Sequence, residues 1–243
     1  MARRFIVNEN NIENIDDKEI KINGTEVKHI QVLRFNINDR IAINDGIYEI
    51  LEMKRDFIRL KFISKNSDFG VPNINLRLYI AVLKGEKMDL VIKKAVEIGV
   101  SEIIPFFSKN TVVKIDKKEY EKKKQKYEKI VIEAEKQCGR TDSVKINDFM
   151  TFEEVLEDVK NNDLTFFAYE KSKSKLRDVI LNINKNNVKN IAVIIGPEGG
   201  FTDYENSILS NKENVKNISI SNRILMSETA ALSLCSIIMY EFD

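Results

Sequence analysis

Residues 191–205, I-A-V-I-I-G-P-E-G-G-F-T-D-Y-E, hold the densest set of ligand-handling features in the chain. Five apolar residues, mostly β-branched, suit a strand buried on both faces. Gly196, Pro197, Gly199 and Gly200 then break regular structure. The glycines permit positive φ and close approach of another molecule to the backbone, while Pro197 fixes its own φ. Thr202 and Glu205 have the T-x-x-E spacing of a capping box, which starts a helix. A buried strand, a glycine turn and a helix N-terminus in succession is the arrangement that binds ligands at the carboxyl edge of an α/β sheet. It also serves as a tight connection with no ligand. The phosphate-binding patterns G-x-x-x-x-G-K-[ST] and G-x-G-x-x-G are both missing. The loop has no lysine or arginine and supplies a carboxylate, Glu198. A ligand without a polyphosphate fits better than ATP or NAD.

Other reactive residues narrow the chemistry. Cys138 and Cys235 are far apart and form no C-x-x-C, which reads as two buried free thiols of a cytosolic protein. The lone His29 has no usual zinc spacing to either cysteine, so no metal site is expected. The chain of 243 residues is 43% hydrophobic and 32% charged, a soluble globular composition with room for one large domain or two smaller ones. No apolar run reaches the roughly 18 residues of a membrane span, and the amino terminus lacks a signal-peptide core. Net charge is +1, which by itself demands no nucleic acid. Lysine and arginine number 12 against 12 acids in residues 1–72, 17 against 11 in 73–145 and 10 against 15 in 146–243. The central surplus is read as a solvated helix face or a local patch for a phosphate backbone.

The elements that must position the glycine turn follow from pattern. Residues 1–72 look β-rich, with strands at F-I-V, E-I-K-I, R-I-A-I and F-I-R-L-K-F-I, and Asn23-Gly24 and Asp45-Gly46 are hairpin-turn signals. Val27, Ile30 and Leu33 predict a short helix flanked by His29 and Arg34. Asp68–Pro72 marks a boundary. Beyond it strands alternate with helices, which predicts a largely parallel sheet. R-L-Y-I-A-V-L leads to a helix with Leu90, Val91, Lys94, Ala95 and Ile98 on one face and Gly99 at its end. Glu119–Gln137 is a long charged helix with Tyr127, Ile130, Val131 and Ala134 inward. Thr151 and Glu154 form a second capping box before the strand L-T-F-F-A-Y-E, and residues 180–190 form a polar connection. Ile218 and Ile220 mark a short strand and Ser221-Asn222 a turn. A strongly apolar terminal helix starts at Ser227 or Glu228, and either its own domain wraps it or a second subunit covers it.

K-G-E-K-M-D-L-V-I-K-K-A-V-E-I-G-V, E-A-E-K-Q-C-G-R, I-I-G-P-E-G-G-F-T-D-Y-E and S-N-R-I-L-M-S-E-T-A-A-L stand in the order and spacing of the 16S ribosomal RNA (uracil-N3)-methyltransferases of the SPOUT superfamily. V-K-H-I-Q-V-L-R-F-N-I-N-D-R-I-A-I-N-D-G resembles that family's PUA-like domain, so the likeness covers nearly the whole chain. It implies an α/β fold: a PUA-like RNA-binding β-barrel over 1–72, then a dimerising, trefoil-knotted, parallel-sheet methyltransferase domain over 73–243. It implies S-adenosylmethionine as cofactor, a cytoplasmic homodimer, and a uridine of the small-subunit decoding region as target. By position, the cofactor loops are 168–170, 195–200 and 219–229, with Ile195, Gly196, Gly200, Ile220, Leu225, Met226 and Thr229 as contacts. Arg140 and Glu228 are the catalytic candidates. Arg140 and Arg223 would hold RNA phosphate or the extruded base, and Arg3, Arg4, His29 and Arg34 belong to the amino-terminal RNA surface.

Two residues depart from the family pattern L-G-x-R-I-L-R-x-E-T-A: Ser221 replaces its glycine and Met226 its second arginine. A thioether cannot replace a fixed fork of donors. The expected reaction moves a methyl group to uridine N3, which lies on the pairing edge and must be exposed first. Glu228 would act as base or orient the imide, or it is simply a carboxylate favoured at a helix N-terminus. The rival reading is a ribosome-assembly factor that keeps the fold without methylating. Methylation of another RNA is a further alternative.

Overall fold

A computed structural model describes residues 4–5, 7–65, 71–140, 142–185 and 188–243, without the side chains of Arg4 and Lys117. Two compact units result, Met1–Val71 with Lys136–Asp142, and Pro72–Glu135 with Ser143–Asp243. Of the expected boundary at 68–72, positions 68–70 lie outside the described residues.

The first unit is built on one six-stranded sheet. Its strands are β1 (Arg4–Phe5), β2 (Ile12–Asn14), β3 (Glu19–Asn23), β4 (Arg40–Ile43), β5 (Gly46–Met53) and β6 (Phe57–Lys65), in the order β1-β4-β5-β6-β3-β2. All pairs are antiparallel except β1 with β4. Among the described residues no ladder joins β1 to β2. Alternating side chains turn Ile22, Ile41, Ile50, Ile58 and Leu60 inward against Val27 and Ile30 of helix α1 (Thr25–Val32). The Asp45-Gly46 signal does mark a hairpin, with Ile43 paired to Gly46 and the left-handed residue at Asn44 (φ 52°). Asn23-Gly24 does not. Gly24, at φ 86°, turns the chain from β3 into α1, so its conformational freedom serves a strand-to-helix entry.

In the second unit every strand pairing is parallel. Strands β7 (Asn75–Ala81), β8 (Glu102–Phe107), β9 (Lys145–Ile146), β10 (Met150–Thr151), β11 (Leu164–Ala168), β12 (Asn190–Ile195) and β13 (Val215–Ile218) form one sheet of order β10-β8-β7-β12-β11-β13, with β9 beside β8. Helices α2 (Lys87–Ile98), α3 (Lys117–Cys138), α4 (Phe152–Asp158), α5 (Leu176–Leu181), α6 (Asp203–Ser210) and α7 (Ser227–Phe242) connect and cover it. Strand β12 is central, which is why its residues from Ile191 to Ile195 are all apolar. Ile191, Val193 and Ile195 enter the core shared with α2 and α7, while Ala192 and Ile194 enter the core shared with α4 and α6.

Both capping boxes form, at Thr151 with Glu154 and Thr202 with Glu205. Helix α2 ends at Gly99 in the left-handed region. Its buried face differs from the expected one. Met88, Val91, Ile92, Ala95 and Val96 are inside, Leu90 is exposed, and Lys94 pairs with Glu97 at the surface. Two apolar stripes overlap on this helix, and the one without a lysine is buried. Tyr127, Val131 and Ala134 of α3 are buried as expected. Cys138 is not: it ends α3 exposed, whereas Cys235 on the inner face of α7 is fully covered. The stretch expected to be a polar connection begins inside α5, where Leu176 and Ile180 are buried. Strand β13 lies earlier than expected, ending at Ile218. Among the described residues no helix is long and apolar enough to cross a membrane.

Candidate functional site

Neighbouring strands β12, β11 and β13 all end on the same edge because they run parallel. Their following loops, with the first turn of α7, enclose a cavity of about 330 Å³. Ala168 to Glu170 come from the β11 loop, Ile195 to Phe201 from β12, and Ser219 to Ser221 and Arg223 to Ser227 from β13. The volume suits a small molecule rather than a polymer.

Each wall is fixed locally. Gly200 donates its N–H to the Pro197 carbonyl at 2.9 Å and sits at φ 67°, a left-handed turn that a side chain would strain. Asn110 donates its amide to the carbonyls of Gly199 and Gly200 at 3.2 and 3.1 Å. Behind the turn, Glu205 is buried and accepts from Thr202 N, Thr202 Oγ1 and Lys109 N at 2.8, 2.9 and 2.8 Å. The β13 loop is stapled to the β11 loop through Ser219 N to the Ser174 carbonyl at 2.8 Å and Tyr169 N to the Ile218 carbonyl at 2.9 Å.

The expected site residues sort as follows. Ile195, Gly196, Gly200, Ile220, Leu225 and Met226 line the cavity, as does Arg223, the one cation among the described lining residues. Thr229 is exposed and outside the lining. Glu228 is also outside it, in the first turn of α7, with Oε2 buried and hydrogen-bonded to nothing. Arg140 is buried in the first compact unit, where its guanidinium forms a forked pair with Asp142, Nε to Oδ1 at 3.0 Å. His29 sits edge-on to Phe5 at 5.7 Å and 3.2 Å from Glu26 Oε2. Arg34 is exposed at φ 60°. Arg3 lies outside the described residues, as does the side chain of Arg4.

Ser221 has no positive φ, and its hydroxyl accepts the Arg223 N–H at 3.1 Å, so this turn has no need of glycine. Sequence reasoning missed Lys87. Its ammonium lies 3.7 Å from Glu198 Oε1 and 3.5 Å from Glu228 Oε2. Glu170, at the end of the 168–170 loop that the resemblance assigned to the cofactor, lines the cavity near Gly200. Lys87 carries no local signal, because only the fold brings it to Glu198 and Glu228.

The described walls are largely apolar side chains and glycine backbone, with the carboxylates of Glu170 and Glu198 against one guanidinium, Arg223, and no lysine. That set fits a cationic, phosphate-free nucleoside such as S-adenosylmethionine. Its flat base needs apolar faces and backbone partners, and its positive sulfonium tolerates nearby carboxylates.

Known proteins share this architecture. The RNA methyltransferase domain family matches residues 71–239. Ribosomal RNA small subunit methyltransferase E of Mesomycoplasma hyopneumoniae is 33% identical over 95% of this chain and 96% of that protein. A putative methyltransferase of Legionella pneumophila, solved in complex with its bound cofactor S-adenosylmethionine, is 25% identical with a TM-score of 0.74, covering 99% of this chain and 98% of that one. Ribosomal RNA small subunit methyltransferase E from Neisseria gonorrhoeae, solved bound to S-adenosylmethionine, has the same fold. It covers 99% of this chain and 98% of that one, with a TM-score of 0.75 at 22% identity.

Proposed function

The chain belongs to the RNA methyltransferase family that includes ribosomal RNA small subunit methyltransferase E, and from that premise we propose that it methylates N3 of one uridine in the decoding region of 16S ribosomal RNA. The observation that carries this reading is the meeting of three post-strand loops, one of them a glycine turn, around one cavity of cofactor size whose described lining holds no lysine.

S-adenosylmethionine bound there supplies an electrophilic methyl group. Ile195, Ile220 and Leu225 give the cavity apolar walls, and the 196–200 backbone supplies its polar contacts. In this reading Arg223, an exposed residue of the lining, meets an RNA phosphate. Glu228, whose Oε2 accepts no hydrogen bond and is ion-paired to Lys87, is the group that accepts the N3 proton or orients the imide. Positioning is the main contribution of these residues, since the reaction needs an in-line approach and loss of one proton.

In this reading residues 1–72 are the PUA-like RNA-binding domain, with Arg3, Arg4, His29 and Arg34 on its RNA surface. Residues 73–243 are the methyltransferase domain, threaded as a trefoil knot. The active form is a cytoplasmic homodimer; for the dimer, the support is the exposed Ile237 and Tyr240 on α7, whose other face is buried through Leu234, Cys235, Ile238 and Met239. The test is transfer of labelled methyl groups to small ribosomal subunits lacking this modification, with mass mapping of the product. Label at one decoding-region uridine is the expected result. Cofactor binding without transfer to subunits or naked RNA would favour a non-catalytic assembly factor, and label confined to another RNA would move the substrate.

A further inference from the structure

Lys87, in the first turn of α2, is outside the cavity lining but ion-paired to one of its residues, Glu198, and it stands between two groups that matter to the site. Glu198 belongs to the glycine turn after β12, and its Oε1 also accepts the Lys84 N–H at 3.2 Å. Glu228 belongs to the first turn of α7, and its buried Oε2 has no hydrogen-bond donor. One ammonium lies within 3.7 Å of both carboxylates, which therefore sit no more than about 7 Å apart. All three side chains are largely covered, at 31%, 22% and 18% exposure, so solvent screens their mutual charges only in part. Without the cation, two carboxylates of like charge would face each other across that short distance.

We propose that Lys87 is a positioning residue of the methyl-transfer site: it ties the cofactor turn, through Glu198, to the substrate-side carboxylate Glu228. The glycine turn has few side-chain anchors of its own. Asn110 holds it from one side by its carbonyls, and the Lys84 N–H and Lys87 ammonium hold Glu198. The same ammonium limits where the Glu228 carboxylate can go, since nothing donates to its Oε2. Lys87 thereby couples the geometry of cofactor binding to the aim of the proton-handling group. The inference rests on the cavity being the cofactor site.

The test compares Lys87→Met, Lys87→Arg, Glu228→Gln and the double variant Lys87→Met/Glu228→Gln, with Lys93→Met on the exposed side of α2 as control. Calorimetric titration reads cofactor affinity, and steady-state methylation of small subunits separates kcat from KM for RNA. Lys87→Met is expected to weaken cofactor binding by about fivefold, the scale of one partly screened ion pair. It should lower kcat by about 30-fold with KM for RNA unchanged, since misplacement of around an ångström is worth up to about 100-fold. Lys87→Arg should recover most of both. In the Glu228→Gln background the lysine change should no longer lower kcat. A merely structural lysine would add its loss to the double variant and move KM and kcat together, which would overturn the inference. So would a Lys87→Met protein with wild-type affinity and kcat. Wild-type protein that neither binds cofactor nor methylates would overturn the functional reading itself, a result distinct from either.

Discussion

Gly196→Ala tests how the floor of the cavity is built. Gly196 has no positive φ, so an alanine meets no backbone strain there. Its obstacle is purely steric. The new Cβ would lie 2.7 Å from Cε2 and 2.9 Å from Cδ2 of Phe201. That ring cannot step aside. It is buried, packed edge-on against Phe167 at 4.9 Å, stacked over Phe106 at 6.3 Å and beside Phe152 at 6.4 Å. Overpacking of this kind costs about 1–3 kcal/mol. In a chain of this length each kcal/mol moves the melting temperature by about 2–4 °C, so a fall of roughly 2–12 °C is expected. The strain sits in a cavity wall, so cofactor affinity should drop as well. Phe201→Leu opens space at the same spot and destabilises alone by roughly 1–2 kcal/mol. The double variant should be at least about 1 kcal/mol more stable than the sum of the single effects, the signature of a relieved clash. Thermal and urea melts give the cycle, and titration gives the affinity. A Gly196→Ala protein melting within a degree of wild type, or strict additivity in the cycle, would refute the steric argument.

Glu205→Ala strands three donors that the buried carboxylate serves, Thr202 N, Thr202 Oγ1 and Lys109 N, and should cost about 2–4 kcal/mol by urea denaturation. Glu205→Gln, which keeps acceptor capacity, should lose clearly less. Burial raises the Asp158 carboxyl, but hydrogen bonds from Tyr79 and Asn161 and the Arg77 guanidinium outweigh it and hold the group below the usual carboxylate range. Its contribution is therefore fully present above the unfolded value of about 3.9 and lost as pH falls through the lower folded value. Asp158→Asn should destabilise the protein at neutral pH and flatten this acid limb, and equal slopes in the two proteins below pH 4 would contradict the assignment. Burial pushes the Cys235 thiol up to about 12, while Cys138 is exposed, so a thiol reagent should titrate one cysteine in the native protein and two in denaturant.

Local chemistry was legible in the sequence where it closes over a few residues. Both capping boxes, the C-terminal Gly99 of α2, the inward face of α3 and the apolar run of β12 needed no tertiary information, because each is decided within about one turn or one strand. Three misreadings share the opposite property. Asn23-Gly24 carries turn chemistry, but whether a strand or helix follows depends on what packs next. The two stripes of α2 are both apolar enough to bury, and only the sheet beneath it chooses between them. Cys138 looked like a core thiol by residue type, yet it falls at the exposed end of a helix.

From residue chemistry alone the candidate site was legible only as one of its three loops; the other two, 168–170 and 219–229, came from the family resemblance. Strand β12 announces itself because both faces are buried. Its neighbours β11 and β13 are joined to it by an order no local pattern shows, and that order brings Tyr169, Glu170 and Ser219 to the same mouth. The same distance hides the cation: Lys84, beside Lys87, is 114 residues from Glu198. The two departures from the family pattern look different in this light. Ser221 needs no left-handed backbone and uses its hydroxyl to hold Arg223 N, so the glycine is replaced in function by a side-chain turn. Met226 occupies the N-cap of α7, where its carbonyl accepts the Ala230 N–H at 2.8 Å but its thioether makes no capping hydrogen bond. The first turn of that helix instead carries Glu228, a carboxylate favoured by the helix dipole and paired with Lys87. The loop that lacks the family's second arginine thus leads into a helix whose first-turn carboxylate, Glu228, pairs with a lysine delivered by α2.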